Sequence, residues 1–324
     1  MIARCASKLK KIGLELGSGT YGDSSSSFTR GLLASDFSVN PAQTVDPVGE
    51  VRGTLNTIRT TKGPIEYQAK LSFPLDAGDE NSASIGDFLA SVLGLETGAV
   101  NAAKFNHVFT TGEMCDPPWL NLWSDKDVTP KEYKGFRASS VKITIDAKEG
   151  MIPVEVEGQL QGEGNLGDQT LVYSVAPLMV PSLVTALTLG GSSIADLEKV
   201  EITIARGQEG INTLGSSRLI NRLVSGTNLM VTVSAEGILF ANETERAKFI
   251  ANTDSAFALT LTDADSNVLS FSFPAMKYQT YDGPDVKSED ILRVSLAGIV
   301  TGSAWNVTLK NDYAVQYDDG SAIV

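Results

Sequence analysis

Apolar and polar residues alternate in twos along most of this chain. In Ile65-Glu66-Tyr67-Gln68-Ala69-Lys70-Leu71-Ser72-Phe73 every other position is apolar, which is the signature of a strand with one buried face, and Pro74 ends it. Runs at 107–110, 119–123, 139–145 and 154–161, each bounded by Gly, Pro or Asp clusters, predict further strands. Helical spacing appears once in this half: Ile85, Phe88, Leu89, Val92 and Leu93 follow the capping residue Ser84 and stop at Gly94. After residue 195 the outline returns, with segments at 200–204, 229–235, 243–252, 256–262, 268–273 and 292–300. The pattern predicts a mostly β fold, a β-sandwich or barrel with one flanking helix per domain, in two tandem related domains.

The return is visible in the residues themselves. Val154-Glu155-Val156-Glu157-Gly158-Gln159-Leu160-Gln161-Gly162 recurs as Val294-Ser295-Leu296-Ala297-Gly298-Ile299-Val300-Thr301-Gly302, with both glycines and the apolar positions in register. Further back, Val141-Lys142-Ile143 matches Met276-Lys277-Tyr278, Trp119 and Trp123 match Phe257 and Leu261, and Phe88-Leu89-Ala90 matches Phe249-Ile250-Ala251. The drifting offset is what loop insertions do to two copies of one unit. On this reading residues 1–30 are an N-terminal arm, 31–165 the first domain with a long loop at 41–62, 166–192 a linker, 193–310 the second domain and 311–324 a C-terminal tail.

Charge narrows the function. With 39 acidic and 26 basic residues the net charge is −13, and such a surface repels phosphate backbones, which argues against sequence reading of nucleic acid. It does not exclude a protein that merely surrounds DNA. Two cysteines, Cys5 and Cys115, are too few for a disulfide framework, and no apolar stretch has the length of a signal peptide or membrane span. A chain that folds in a reducing cytoplasm, without a membrane, is the expectation.

Candidate chemistry is thin. Gly17-Ser18-Gly19-Thr20-Tyr21-Gly22 matches a dinucleotide fingerprint, but four serines follow in place of a helix, and the motif needs a helix N-terminus beneath the phosphate. Asp263-Ala264-Asp265-Ser266-Asn267 resembles the start of a calcium loop yet has Val268 where the glycine belongs, so it reads as a hairpin turn. His107 is the only histidine and has no nucleophile elbow to serve; within a strand pattern it is expected to face solvent or a neighbour. Trp119 and Trp123, replaced in the repeat by residues that keep only apolar character, read as core. No catalytic residue, cofactor or metal ligand is expected.

In order along the chain, Ser35-Asp36-Phe37-Ser38-Val39-Asn40-Pro41, the strand from Gly63 to Pro74, Ile85-Gly86-Asp87-Phe88-Leu89, His107-Val108-Phe109-Thr110, Pro117-Pro118-Trp119-Leu120, Tyr133-Lys134-Gly135-Phe136 and Val154 to Gly158 resemble the tail tube proteins of long-tailed bacteriophages. The likeness covers most of 28–165 and reaches the second copy through the repeat. It implies a virion protein without catalysis, assembled in the host cytoplasm, whose rings stack into a tube for DNA ejection. A doubled chain would close as a pseudo-sixfold homotrimer, with a hexamer as the alternative. Partners implied are the chain itself, a tape measure protein, tail terminator and baseplate proteins, and genomic DNA passing through the lumen without sequence-specific binding. The loop carrying Pro41, Asp46, Val51, Arg52 and Arg59 would meet the adjacent ring, and Glu155 and Glu157 would face the lumen. The rival reading is a tandem β-sandwich that binds carbohydrate or a receptor, for which exposed aromatics at equivalent positions of the two copies would speak.

Overall fold

The computed structural model describes residues 11–48, 59–79, 81–111, 117–125, 129–194, 197–213, 219–239, 243–283 and 293–323. In chain order the first half runs β1 (Lys11–Leu16), β2 (Arg30–Leu33), β3 (Asp36–Val48), β4 (Arg59–Pro74), α1 (Ile85–Leu93), β5 (Gly94–Asn101), β6 (Lys104–Thr111), β7 (Leu120–Ser124), β8 (Lys131–Asp146), β9 (Pro153–Leu160) and β10 (Gly162–Asn165). The rest runs β11 (Val172–Tyr173), β12 (Val184–Leu189), β13 (Ser192–Ser193), β14 (Lys199–Ile211), β15 (Arg222–Leu239), α2 (Thr244–Ala251), β16 (Ser255–Thr262), β17 (Val268–Asp282), β18 (Arg293–Val300) and β19 (Asn306–Asn311). The fold is mostly β, as the alternation predicts.

Antiparallel ladders join β3 to β4, β4 to β9, β9 to β8, β8 to β14, β14 to β15, β15 to β18 and β18 to β17, one eight-stranded sheet through both halves. Its side chains alternate cleanly. Val141, Ile143, Val154, Val156, Val200, Ile202 and Ile204 are buried on one face, while Lys142, Thr144, Glu155, Glu157, Glu201 and Thr203 stay accessible on the other, as a half-buried antiparallel sheet requires. Burying each aliphatic side chain contributes about 1.5–3 kcal/mol, so a one-residue slip of any strand would forfeit several such terms.

The buried face is covered by a second layer in each half. Strands β8 and β17 serve both layers, because their early residues pair with β7 and β10, and with β16 and β19, before the chain bends into the long sheet. β1 and β2 extend the first outer layer; β12 and β13 extend the second. Apart from the β5–β6 hairpin and β11, the second half follows the pairing order of the first. Some of the irregularities coincide: register shifts fall between Ala138 and Ser140 and between Tyr278 and Thr280, and again between Leu120 and Leu122 and between Ser255 and Phe257, whereas the shift between Ala235 and Ile238 has no equivalent in the β4–β9 ladder.

These ladders correct the residue matching read from sequence. Leu122 pairs with Tyr133 as Phe257 pairs with Phe273, so Leu122, not Trp119, holds the place of Phe257. Likewise Arg137 and Ala138, opposite Gln159 and Gly158, correspond to Lys277 and Tyr278, opposite Ile299 and Gly298. The slips are three residues in β7 and five in β8: Trp119, Leu120, Leu122 and Trp123 are all buried, so β7 shows no alternation that would mark its faces, and the sequence alone could not fix the register. Strands also lie inside the stretches read as arm and linker, namely β1 with part of β2, and β11 with β12.

Among the described residues the second half has no counterpart of one hairpin. The hairpin β5–β6 follows α1, and β6 pairs with β19 of the second half from Phe109–Val307 to Phe105–Asn311. The halves are therefore joined by two ladders, β8–β14 in the long sheet and β6–β19 in the outer layer.

Candidate functional site

Three features of the surface set what this chain can do: two strand edges, an uncovered polar face and a pair of helices in unlike surroundings. Among the described residues β3 is laddered on one side only, to β4, and the Lys277–Asp282 part of β17 is laddered only to β18. They are the two ends of the eight-stranded sheet. An open edge offers N–H and C=O groups to another strand. Pro41 and Pro47 lie in β3, and proline is tolerated on an edge strand because no ladder donor is demanded there.

The polar face carries both charges. Lys70 of β4 lies 3.8 Å from Glu155 and 3.0 Å from Glu157 of β9, and these two carboxylates, hydrogen bond first, hold the Lys70 ammonium above its ordinary pKa. Lys142 reaches Glu201 at 2.9 Å, and Lys199 reaches Glu236 at 3.3 Å. Between Ser38, Asn40, Gln68, Ser139 and Gln159 lies a shallow depression of about 300 Å³. Glu155 and Glu157 are thus together on the uncovered face, each next to a lysine.

The loop residues read as an inter-ring contact separate differently. Pro41, Asp46 and Arg59 lie on the two arms of a long hairpin whose ladder runs out to Val48–Arg59, while Val51 and Arg52 lie outside the described residues.

Helix α1 has all nine of its residues buried. Ser84 caps it, its hydroxyl accepting from Gly86 N–H while Asp87 accepts from Ser84 N–H, and Gly94 closes it in the left-handed region. Phe88 packs on Phe73 and Phe136. The outer side is sealed by the hairpin, by Arg206 of β14, which donates to Leu93 O at 3.4 Å, and by Tyr317, whose ring abuts Gly86. Helix α2 has no buried residue. It is anchored from beneath: Lys248 and Ser255 bond Glu245 at 2.8 and 3.3 Å, and Tyr278 OH donates to Glu245 and lies 2.9 Å from Ser255 Oγ.

His107 is a correction. It is fully buried, its Nδ1 2.6 Å from Glu96 Oε1 and its Nε2 3.1 Å from Asn311 Oδ1 and 2.9 Å from Tyr313 O. Around it the C-terminal segment folds over α1. Tyr317 OH meets Ser84 and Asn311, Tyr317 N–H donates to Glu96, and Arg30 forks onto Asp87 at 2.7 and 2.8 Å beneath the Tyr313 ring. Burial raises the pKa of Glu96, against the opposing pull of His107, and pushes Tyr313 to about 12. No spacing rule could have found this network, since it joins residues from both ends of the chain. It is a structural clasp: every polar atom named is occupied by another part of the protein.

The remaining motifs resolve as turns. Asp263 accepts from the N–H groups of Asp265 and Asn267 at 2.9 and 2.8 Å and from the Asn267 side chain, so its carboxylate is spent on the hairpin. The glycine run after β1 is pinned by Gly17 N–H to Trp119 O and Tyr21 OH to Gly135 O, with no helix beneath it. Among the described residues no cluster of His, Cys, Asp or Glu is arranged to hold a metal ion, and no helix is long and apolar enough to cross a membrane.

The described residues thus form a mostly β scaffold whose long sheet ends in open edges. The model of the phage tail tube protein family matches residues 13–300, and the chain belongs to that family. Membership gives it a structural role in the virion tail. No curated protein matches the chain.

Proposed function

We propose that this chain, a duplicated unit with domains near 31–165 and 193–310, closes edge to edge into three-membered rings that stack into the tail tube, the polar face lining the DNA channel. The observation that carries this is the β8–β14 ladder, from Lys199–Asp146 to Ala205–Ser140. It is a worked example of how one unit adds to the next. By ladder position β14 corresponds to β3 and β8 to β17, which are the two open ends of the sheet. Repeating the junction between chains puts Val39 opposite Gly283, Asn40 opposite Asp282, Pro41 opposite Tyr281 and Ala42 opposite Thr280. A contact that repeats head to tail gives a ring when its rotation closes and a helical filament when it does not, and closure removes the edges.

Three chains of eight strands give a barrel of twenty-four. At about 4.8 Å per strand its backbone circumference is about 115 Å, and its diameter about 37 Å before tilt widens it. Barrels of sixteen strands or more already leave an aqueous channel. On this reading Glu155 and Glu157 face the lumen, the 41–62 hairpin reaches the adjacent ring, and tape measure, terminator and baseplate proteins meet the tube inside and at its ends. The rival sugar-binding reading loses support from the tryptophans, which are 8%, 1% and 4% exposed at Trp119, Trp123 and Trp305.

The test is a pair of cysteines, Ala42→Cys with Thr280→Cys, in a Cys5→Ser, Cys115→Ser background. Oxidation is expected to link chains into a series ending at the trimer on a non-reducing gel, with hollow rings in negative stain. A monodisperse monomer without intermolecular disulfides would sink the proposal.

A further inference from the structure

Resting on the ring reading above, we infer that the outer face of α2, centred on Ile250, is a contact surface for a second copy of this chain, the copy whose β3 adds to β17. The argument starts from the contrast between the two helices. They occupy the same position in the pairing order, each between the second and third strands that the halves share, and each ends in a left-handed residue, Gly94 and Asn252. Yet α1 is wholly buried, and α2 has none of its residues buried.

The difference lies in what stands beside them. α1 sits at the junction of the halves, where β14 and the segment after β19 cover it. α2 sits at the free end of the sheet, beside β17.

The sequence of α2 fits a covered helix. Its inner side spends Glu245 and Lys248 on the hydrogen bonds to Ser255 and Tyr278, and Phe249 stacks on Tyr281 at 6.1 Å. Its outer side carries Ala247, Ile250 and Ala251, all exposed, with Ile250 at 68%. These fall at i, i+3 and i+4, an apolar stripe on the side turned away from the body. An isoleucine exposed between two alanines, beside the exposed Arg246–Glu243 ion pair, is an apolar centre with a charged rim, the make-up of a surface that a partner covers.

The occupant follows from the internal junction. Carrying β14 onto β3 and β19 onto β10 brings the flank of the neighbouring chain that holds these strands up to α2, and Gln43, the counterpart of Arg206 by ladder position, toward the end of the helix. Among the described residues the second half lacks a counterpart of the β5–β6 hairpin, so the junction between chains has no equivalent of the β6–β19 ladder. Contact through α2 supplies the second anchoring point that the hairpin supplies within the chain.

The experiment places a single cysteine at Ile250 in the Cys5→Ser, Cys115→Ser background and follows its reaction with a small maleimide, with Val175→Cys, at a residue 91% exposed, as the control. In assembled rings Ile250→Cys is expected to react at least tenfold more slowly than in the dissociated chain, the control being unchanged. Separately, Ile250→Asp is expected to leave the melting curve of the chain unaltered and to raise the concentration needed for ring formation at least tenfold. Rings that form and cross-link through Ala42 and Thr280 while Ile250→Cys stays fully reactive would overturn this inference and leave the ring reading standing. If no rings form, both fall.

Discussion

Lys142 of β8 and Glu201 of β14 form a 2.9 Å ion pair across the ladder that joins the two halves. Both side chains are about a third exposed, on the polar face, where solvent screens the attraction and such pairs contribute about 0–1 kcal/mol. The joint must therefore be held from the other face, by Val141, Ile143, Ile202 and Ile204, all buried. Lys142→Ala is expected to lower unfolding stability by less than about 1 kcal/mol. Ile202→Ala should cost about 2–5 kcal/mol. Urea denaturation of the two variants distinguishes them, and equal losses would show that the seam is electrostatic.

A second prediction concerns the glycines that first betrayed the repeat. A Cβ on Gly158 would stand 2.1 Å from Arg137 O, and one on Gly298 would stand 2.9 Å from Lys277 O. Arg137 and Lys277 hold the same ladder position, beside the same register shift, where the bulged strand leans into its partner. Gly158→Ala should therefore cost about 1–3 kcal/mol or more, because backbone must move. The cost at Gly298 should be smaller, since its contact is longer. Paired denaturation curves test the order.

The element types were legible because strand and helix periods differ, and the likeness of the Val154–Gly162 and Val294–Gly302 segments was legible because both glycines meet the same kind of backbone contact. Register was not. Trp119 and Phe257 are both apolar and both buried, and only the backbone ladder shows that Leu122 is the true counterpart. His107 was misread for a related reason: its surroundings, Glu96, Asn311 and Tyr313, are assembled by the fold from distant positions, and a strand pattern does not say which polar residue has a partner waiting inside. The open ends of the sheet had no sequence signal apart from the prolines of β3.

Titration gives a third prediction. Among the described residues, every carboxylate with a resolved shift moves upward: Glu15, Asp76, Glu96 and Asp318, each chiefly through burial. For such a group the folded state holds its proton more tightly than the unfolded state does. Its contribution to stability is fully present below the ordinary value, 4.5 for Glu96, and is lost as pH rises through the raised one. The protein should melt at a higher temperature in mild acid, near about pH 5, than at about pH 8, and self-repulsion at a net charge of −13 acts in the same direction. Glu96→Gln, which keeps an acceptor for Tyr317 N–H, should flatten part of that slope. A melting temperature that climbs steadily toward pH 8 would contradict the assignment.

The polar face gives the last. Glu155 and Glu157 share Lys70 at sites open to solvent, so replacing both acids should change stability by no more than about 1 kcal/mol. Their charge matters for what slides past. Glu155→Lys with Glu157→Lys turns a face with paired charges into one with a run of cations on adjacent strands, and each lysine–phosphate contact adds a salt-dependent attraction, with the logarithm of affinity falling by about 0.9 per contact for each decade of salt. Assembled tubes of the natural chain should retain no duplex DNA in a sedimentation assay at 50 mM salt. Tubes of the doubly reversed variant should retain it at that salt and release it at several hundred millimolar. If the variant tubes hold no more DNA than the natural ones, the two acids do not line the channel.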